Sequence, residues 1–355
     1  MSSEEAPSKP GSSIELVDTK NDASNQEQSV SGLGFIVGSN VADWLGHWQW
    51  GLRVTPIFGI ICLILIVFVL HEPKRGEAEQ AQVIPTSYWQ DIKYLIFNRT
   101  YVYSTLGYTF VVFVAGAMTW WTPTAVEHAW AVTNHKEEAS KDVKANISLV
   151  FGVITCLGGF FGVTLGSMVA QMWRDGKSCF KSVQNPRADP YVCAIGSFVA
   201  APMLFASIQL FAKNSYLADF FVFLAVLNLC LNWAVVVDIS MYVFIPSRRS
   251  TASAFQILFC HLFGDAASPY IIGLVSDGLR GSDTSALGHY NSLQRAFYIP
   301  NVVLIISGAF FLLSAFYVES DQRKATDEMH SNATCDISAT EQSGSLTTSS
   351  INSTQ

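Results

Sequence analysis

The sequence contains few charged residues. Only 14% of its 355 residues are charged, against about a quarter in an average soluble domain, and 28 Asp and Glu outnumber 21 Lys and Arg. The net charge of -7 and the lack of a clustered basic stripe exclude a nucleic-acid partner. The N-terminus also lacks the apolar segment of a secretory signal peptide.

Patterns typical of enzymes and metal sites are absent as well. The chain has no G-x-S-x-G, H-E-x-x-H, P-loop or G-x-G-x-x-G pattern. Its 7 cysteines are odd in number, scattered and never spaced as C-x-x-C, which excludes a zinc-ligand pattern and a disulfide framework. The sequence therefore predicts no enzyme, no cofactor and no metal.

Long hydrophobic runs are what the sequence does have. Half of the residues are hydrophobic, and the mean hydropathy is +0.30. A helix needs roughly 20 apolar residues to cross a bilayer. Seven runs reach that length: Trp50–Leu70, Tyr101–Val126, Asn146–Trp173, Pro190–Phe211, Tyr216–Ile245, Thr251–Ser276 and Phe297–Val318. An eighth run, Ser31–Ala42, is too short to span, so the sequence predicts an all-α, multi-pass membrane protein in a lipid bilayer.

The polar segments predict which parts of the chain are disordered and how the chain is oriented in the membrane. Residues 1–30 and 319–355 are rich in Ser, Thr, Asn and Glu without periodicity, and we expect both to be disordered. The alternate loops that include 72–100 carry about twice as many Lys and Arg as the opposite loops. The positive-inside rule therefore predicts that 72–100 is a cytosolic loop and that the C-terminal tail is cytosolic.

One span carries a pattern of helix packing. Gly158, Gly162 and Gly166 recur every fourth residue. Small residues at this spacing let a second helix backbone approach closely, so we expect this seam to be a packing surface.

Several short sequence motifs resemble those of the spinster-type transporters of the major facilitator superfamily. They occur in family order and are SGLGFIVGS (31–39), WQWGLRVTP (48–56), HEPKRG (71–76), NPRADP (185–190), IPSRRSTASAFQI (245–257) and HLFGDAASPYIIGLVSD (261–277). The resemblance covers about residues 31–318, and the last two motifs are the most specific.

The resemblance implies part of a twelve-helix fold made of two six-helix halves. In that frame 31–71 is a remnant of the N-terminal half (helices 5 and 6), and 101–318 is the complete C-terminal six-helix bundle. The first four helices have no counterpart, so the expectation is a truncated isoform or an incomplete gene model. The family's proton-linked residues in helices 1 and 4 cannot be carried over.

The resemblance also implies a function. A spinster-type protein is expected to move an amphiphilic lipid, either a sphingolipid such as sphingosine-1-phosphate or a lysophospholipid. Movement would be proton-linked. The expected location is the late endosomal or lysosomal membrane, with the plasma membrane as an alternative.

His261 and Asp265 are the leading site candidates. They lie four residues apart inside one apolar run and so share a helix face. Ionisable groups inside a membrane span are costly and usually functional, and this pair can exchange a proton. The alternative is a hydrogen-bonded pair that only fixes helix packing around Gly264 and Pro269.

Two further groups are weaker candidates. Asp238 can pair with Arg248 and Arg249 across the Pro246 turn as a cytosolic latch that breaks during transport, although static capping explains these residues too. Asn228 and Asn232 share a helix face near a span centre, followed by Trp233. These side chains either contact substrate or bridge helices.

Two other functions stay open. The chain can act as a membrane partner or negative regulator that binds a full-length copy of the transporter. Seven spans with a cytosolic C-terminus also fit a seven-helix receptor, although the sequence motifs expected of such receptors are absent.

Overall fold

The computed structural model describes residues 41, 44, 46–69, 87–177 and 180–351, in which all regular secondary structure is helical. The predicted leader 1–30, nearly all of Ser31–Ala42, and residues 72–86 lie outside the described residues. The helices are α1 (Trp48–Val69), α2 (Tyr88–Phe97), α3 (Arg99–Thr133), α4 (Lys141–Asp175), α5 (Ala188–Leu210), α6 (Ser215–Val243), α7 (Pro246–Cys260), a π-helical segment (His261–Asp265), α8 (Ser268–Arg280), α9 (Ala286–Ala296) and α10 (Tyr298–Ile351).

The structure confirms the seven predicted spans. Seven helices are long and apolar enough to cross a membrane, and each contains most or all of one predicted run. α7, the π-helical segment and α8 form one span, Pro246–Arg280. The helices are longer than the apolar runs because polar residues continue them beyond the hydrocarbon thickness that about 20 residues cover.

The bundle is organised around α3, α5 and α6. α5 packs against α6 and α10, while α3 packs against α10, and α4 packs against α6. Large side chains such as Leu204, Ile208, Ile239 and Phe311 are fully buried in this core. α1 differs, because no residue of its apolar window is buried.

The glycine seam of α4 packs as predicted. A Cβ atom on Gly162 would lie 2.5 Å from the carbonyl oxygen of Leu227 and 2.6 Å from Cys230 Cβ in α6. Gly158 and Gly166 meet Val226 and Leu231 of the same helix. The seam therefore sets the distance between α4 and α6, since any side chain there would separate the two backbones.

The first part of the tail that the sequence predicts to be disordered is helical in the structure. α10 continues past the membrane span, and Asp321 and Ala325 are buried. Asp321 Oδ2 accepts hydrogen bonds from Thr100 N at 3.1 Å and Thr100 Oγ1 at 2.8 Å. The carboxylate thus satisfies a free donor at the N-terminus of α3, a long-range contact that composition does not reveal.

The predicted loop 72–100 also contains ordered structure. Helix α2 lies within it and buries Asp91 and Leu95. Tyr94 and Tyr101 pack edge-on against Phe244 with ring centroids 6.0 and 5.1 Å apart. α2 therefore packs on one end of the bundle, here named the α2 end, and the end that carries the α3–α4 and α5–α6 connections is named the opposite end.

Candidate functional site

The leading candidate pair lies in the π-helical segment. His261 Nδ1 and Asp265 Oδ2 are 2.9 Å apart, within hydrogen-bond distance. Their side chains are 54% and 41% exposed. π-helical turns inside α-helices are rare and frequently mark functional sites. The sequence predicted the shared face, and the structure adds the local change of helix geometry that displays it.

Two facing glycines bring this segment against α3. A Cβ atom on Gly116 would lie 2.5 Å from the Cα atom of Asp265, and one on Gly264 would lie 2.8 Å from Val112 Cγ1. Trp121 Nε1 also donates a hydrogen bond to the carbonyl oxygen of Pro269 at 2.9 Å. The backbone around the pair is therefore held by α3, while both ionisable side chains stay accessible.

The pair lines a central cavity of about 250 Å³. Its wall is formed by α3, α4, α6 and the π-helical segment. Thr119 and Thr155 add hydroxyls, while Trp120, Phe151 and Trp233 add aromatic surface. A mainly apolar wall that carries a few polar groups is typical of small-molecule binding sites.

Of the three residues predicted on α6, only Trp233 lines the central cavity. Its ring lies edge-on to Tyr108, with centroids 5.4 Å apart. Asn228 Nδ2 donates to the carbonyl oxygen of Leu224 at 2.8 Å. Asn232 is fully buried, and its Nδ2 donates to the carbonyl oxygen of Leu229 at 3.0 Å.

The part of α6 that carries the two asparagines packs against α5. A Cβ atom on Gly196 of that helix would lie 2.8 Å from the carbonyl oxygen of Asn228 and 3.4 Å from Asn232 Nδ2. The side-chain amides of both residues donate hydrogen bonds within α6, so the helix-bridging alternative also stays a prediction. Substrate contact by Asn228 or Asn232 stays a prediction that the cavity does not support.

Arg248 lies at the centre of a charge cluster at the α2 end. Its Nε is 3.0 Å from Asp91 Oδ1, and its Nη1 is 2.7 Å from Glu328 Oε1. Its guanidinium carbon lies 4.3 Å from the centroid of the Tyr94 ring. Burial, reinforced by the charge of Glu328, raises the pKa of Tyr94, so the phenol stays neutral at physiological pH.

The predicted latch paired Arg248 with Asp238. The structure instead gives Arg248 ion-pair partners from α2 and α10. Asp91 and Glu328 were missed, since they lie 157 and 80 positions away in sequence. Arg249 Nε donates to the carbonyl oxygen of Phe244 at 3.1 Å. Asp238 contributes to the electrostatic environment of Arg174. A latch between Asp238 and Arg249 stays a prediction.

The part of the chain that the structure describes contains no cluster of three His, Cys, Asp or Glu side chains suited to a metal ion. The polar contact on the wall of the central cavity is the hydrogen bond of the His261–Asp265 pair. Aromatic and aliphatic contacts surround that pair.

Comparison with known proteins identifies relatives over most of the chain. No family model matches it. Protein spinster homolog 1 of Homo sapiens is 42% identical over 303 residues, which is 83% of this chain and 56% of that protein. Protein spinster homolog 3 of Danio rerio is 38% identical over 308 residues, 86% of this chain and 60% of that protein. Protein spinster of Drosophila melanogaster is 43% identical over 250 residues, 70% of this chain and 39% of that protein.

A solved structure shares the fold. A bacterial homolog of the human lysosomal transporter Spinster, crystallised in an inward-facing, unoccupied conformation, superposes with a TM-score of 0.56 at 14% identity. The match covers 87% of this chain and 70% of that one. The chain spans about half the length of its curated relatives. The sequence matches and the shared major facilitator superfamily fold together show that this membrane protein belongs to the spinster family.

Proposed function

We propose that the chain forms part of the passage of a membrane transporter for amphiphilic lipids. The observation that carries the proposal is the hydrogen-bonded His261–Asp265 pair on the wall of the central cavity. The spinster relatives support a transporter over a seven-helix receptor. In this fold the substrate site lies near the bilayer midplane and alternates between the two sides.

The wall of the central cavity suits a molecule with one polar end. His261 and Asp265 offer a titratable hydrogen-bonding partner for a head group. Trp233 and Phe151 offer apolar surface for a hydrocarbon chain on the same wall. We therefore propose a sphingolipid such as sphingosine-1-phosphate, or a lysophospholipid, as substrate.

The same pair supplies a physical route for proton linkage. Histidine is the side chain that changes charge between about pH 5 and 8. Protonation of His261 turns its contact with Asp265 into an ion pair, which changes the net charge that the cavity presents to a head group. Substrate and proton would then compete for, or share, the same carboxylate.

Two substitutions and a matched control test this role. His261→Ala and Asp265→Asn each remove one partner of the pair, and Asp277→Asn removes a carboxylate of the same span that pairs with Arg280 instead. Hydrogen bonds to charged groups contribute about 1.5–3 kcal/mol, so binding of a fluorescent lysophospholipid to the purified chain should weaken about 10- to 100-fold in the first two variants.

The control variant Asp277→Asn should bind the fluorescent lysophospholipid as tightly as the wild type does. A proton gradient across proteoliposomes should likewise drive flux only where the pair is intact. Wild-type binding and flux in both His261→Ala and Asp265→Asn, at equal protein levels, would remove the pair from the mechanism.

A second function, association with a full-length copy of the transporter, is favoured by α1. No described residue of its apolar window is buried, and side chains such as Phe58 and Phe68 are 61% and 80% exposed. Co-expression of this chain with a complete spinster protein tests the proposal. Co-purification together with reduced lipid flux supports it, and independent elution with unchanged flux contradicts it.

The proposed compartment is the late endosomal or lysosomal membrane, with the plasma membrane as the alternative. The support is the description of the bacterial protein as a homolog of a human lysosomal transporter. Co-localisation of the tagged chain with a lysosomal membrane marker tests it.

A further inference from the structure

A second, smaller cavity adjoins the central one. Its volume is about 60 Å³, and it shares Phe151 with the central cavity. On its other side it shares Asn146 and Ser215 with a groove at the opposite end of the bundle. It therefore lies between the central cavity and that end, in a position that the proposed lipid site does not occupy.

Thr122 gives this cavity an unpartnered oxygen. The residue is only 2% exposed, and its Oγ1 has no hydrogen-bond partner among the described residues. Other threonines of α3 and α4, such as Thr109 and Thr155, donate to the carbonyl oxygen four residues earlier. A buried hydroxyl without a partner costs about 1–3 kcal/mol, and a ligand that reached the oxygen of Thr122 from the cavity would offset this cost.

Asp219 adds a carboxylate to the same wall. It lies one turn inside the spanning helix α6 and is partly buried. Within the described ranges it has neither a hydrogen-bond partner nor an ion-pair partner. Acidic residues inside membrane spans almost always pair or bind a ligand. The cavity thus brings together a carboxylate and a hydroxyl, and the oxygen atoms of both can bind a cation.

We infer that Asp219, Thr122 and the neighbouring side-chain oxygens of Asn146 and Ser215 bind a single sodium ion. Oxygen atoms are the ligands of hard cations. One carboxylate neutralises one monovalent charge, whereas a divalent ion would leave an excess charge in a segment where charge is costly. The volume equals about two water molecules, which is too small for a lipid head group.

This inference does not depend on lipid transport. The small cavity shares neither His261 nor Asp265 with the central cavity. Sodium binding can therefore be measured on the purified chain without substrate, and loss of lipid transport in a pair variant leaves the sodium prediction unchanged.

The test is binding of radioactive sodium to the purified chain in detergent. Choline chloride replaces sodium chloride at equal ionic strength. Asp219→Asn keeps the side-chain shape, Thr122→Val replaces the hydroxyl by a methyl group, and Glu137→Gln removes an exposed carboxylate from the α3–α4 connection at the same end.

Saturable sodium binding by the wild type and by Glu137→Gln is expected. Binding should fall at least tenfold in Asp219→Asn and several-fold in Thr122→Val. Absence of saturable binding in the wild type, or wild-type affinity in Asp219→Asn, overturns the inference. If Asp219→Asn does not elute as a folded protein, Thr122→Val decides alone, and wild-type affinity in that variant is then the refuting result.

Discussion

Removal of Arg248 tests whether the charge cluster at the α2 end holds three helices together. Its side chain is 11% exposed, and those of its partners Asp91 and Glu328 are 6% and 29% exposed. Deleting one partner of a buried ion pair costs about 3–5 kcal/mol, because the remaining charge stays buried and unpaired. Arg248→Met should lower the free energy of unfolding by about that amount.

Arg187 offers a matched control at the same end. It pairs with Glu319 of α10 at 2.8 Å, but the two side chains are 34% and 31% exposed. Solvent-exposed ion pairs contribute about 0–1 kcal/mol, so Arg187→Met should have little effect. Both losses can be measured by reversible denaturation with SDS in mixed micelles.

A double-mutant cycle separates burial from simple loss of charge. Asp91→Asn removes the charge that Arg248→Met leaves stranded, so the double variant should lose less than the sum of the single losses, by about 0.5–3 kcal/mol. Equal losses in the Arg248 and Arg187 variants, or strict additivity in the cycle, would refute the reasoning that Arg248 is stabilised by buried pairing.

Three more predictions address packing, capping and substrate contact. Gly162→Leu should separate α4 from α6 and lower thermal stability far more than Gly59→Leu in the exposed helix α1. A Cβ atom on Gly162 would lie 2.5 Å from the carbonyl oxygen of Leu227, whereas one on Gly59 would meet nothing within 4 Å; equal melting temperatures of the two variants would contradict this. Asp321→Ala should cost about 0.5–2 kcal/mol, as loss of a helix cap does, and an unchanged denaturation midpoint would remove its role at Thr100. Trp233→Ala should weaken binding of the fluorescent lysophospholipid without affecting sodium binding, since only the central cavity contains this side chain.

Hydropathy and helix spacing predict the features that depend on neighbouring residues in sequence. The seven spans follow from apolar runs, and the glycine seam of α4 follows from spacing alone. The contact between His261 and Asp265 follows from a four-residue separation. These features are local, so one segment of sequence contains the information that determines them.

The remaining features depend on how helices are rotated and paired. Asn228 and Asn232 resemble site residues in sequence, yet the rotation of α6 leaves only Trp233 of the three on the central cavity and places the Asn232 side chain beside Gly196 of α5. Arg248 could have met Asp238 by proximity in sequence, but α2 and α10 bring Asp91 and Glu328 to it. No periodicity within one helix encodes such contacts.

Both ends of the bundle contain ion pairs between helices, and at the opposite end Lys144 of α4 lies 3.9 Å from Glu127 of α3. At the α2 end, Arg174, Arg187 and Arg248 each contact a carboxylate from another helix. Toward the opposite end, Asp219 and Thr122 line a cavity and have no partner among the described residues. Ion pairs between helices hold those helices together during rigid-body rocking, and polar groups without a partner inside a membrane span often mark a ligand or ion pathway. The ion pairs of the α2 end therefore contribute to holding the bundle together, and the sodium site inferred above would add a ligand between the central cavity and the opposite end.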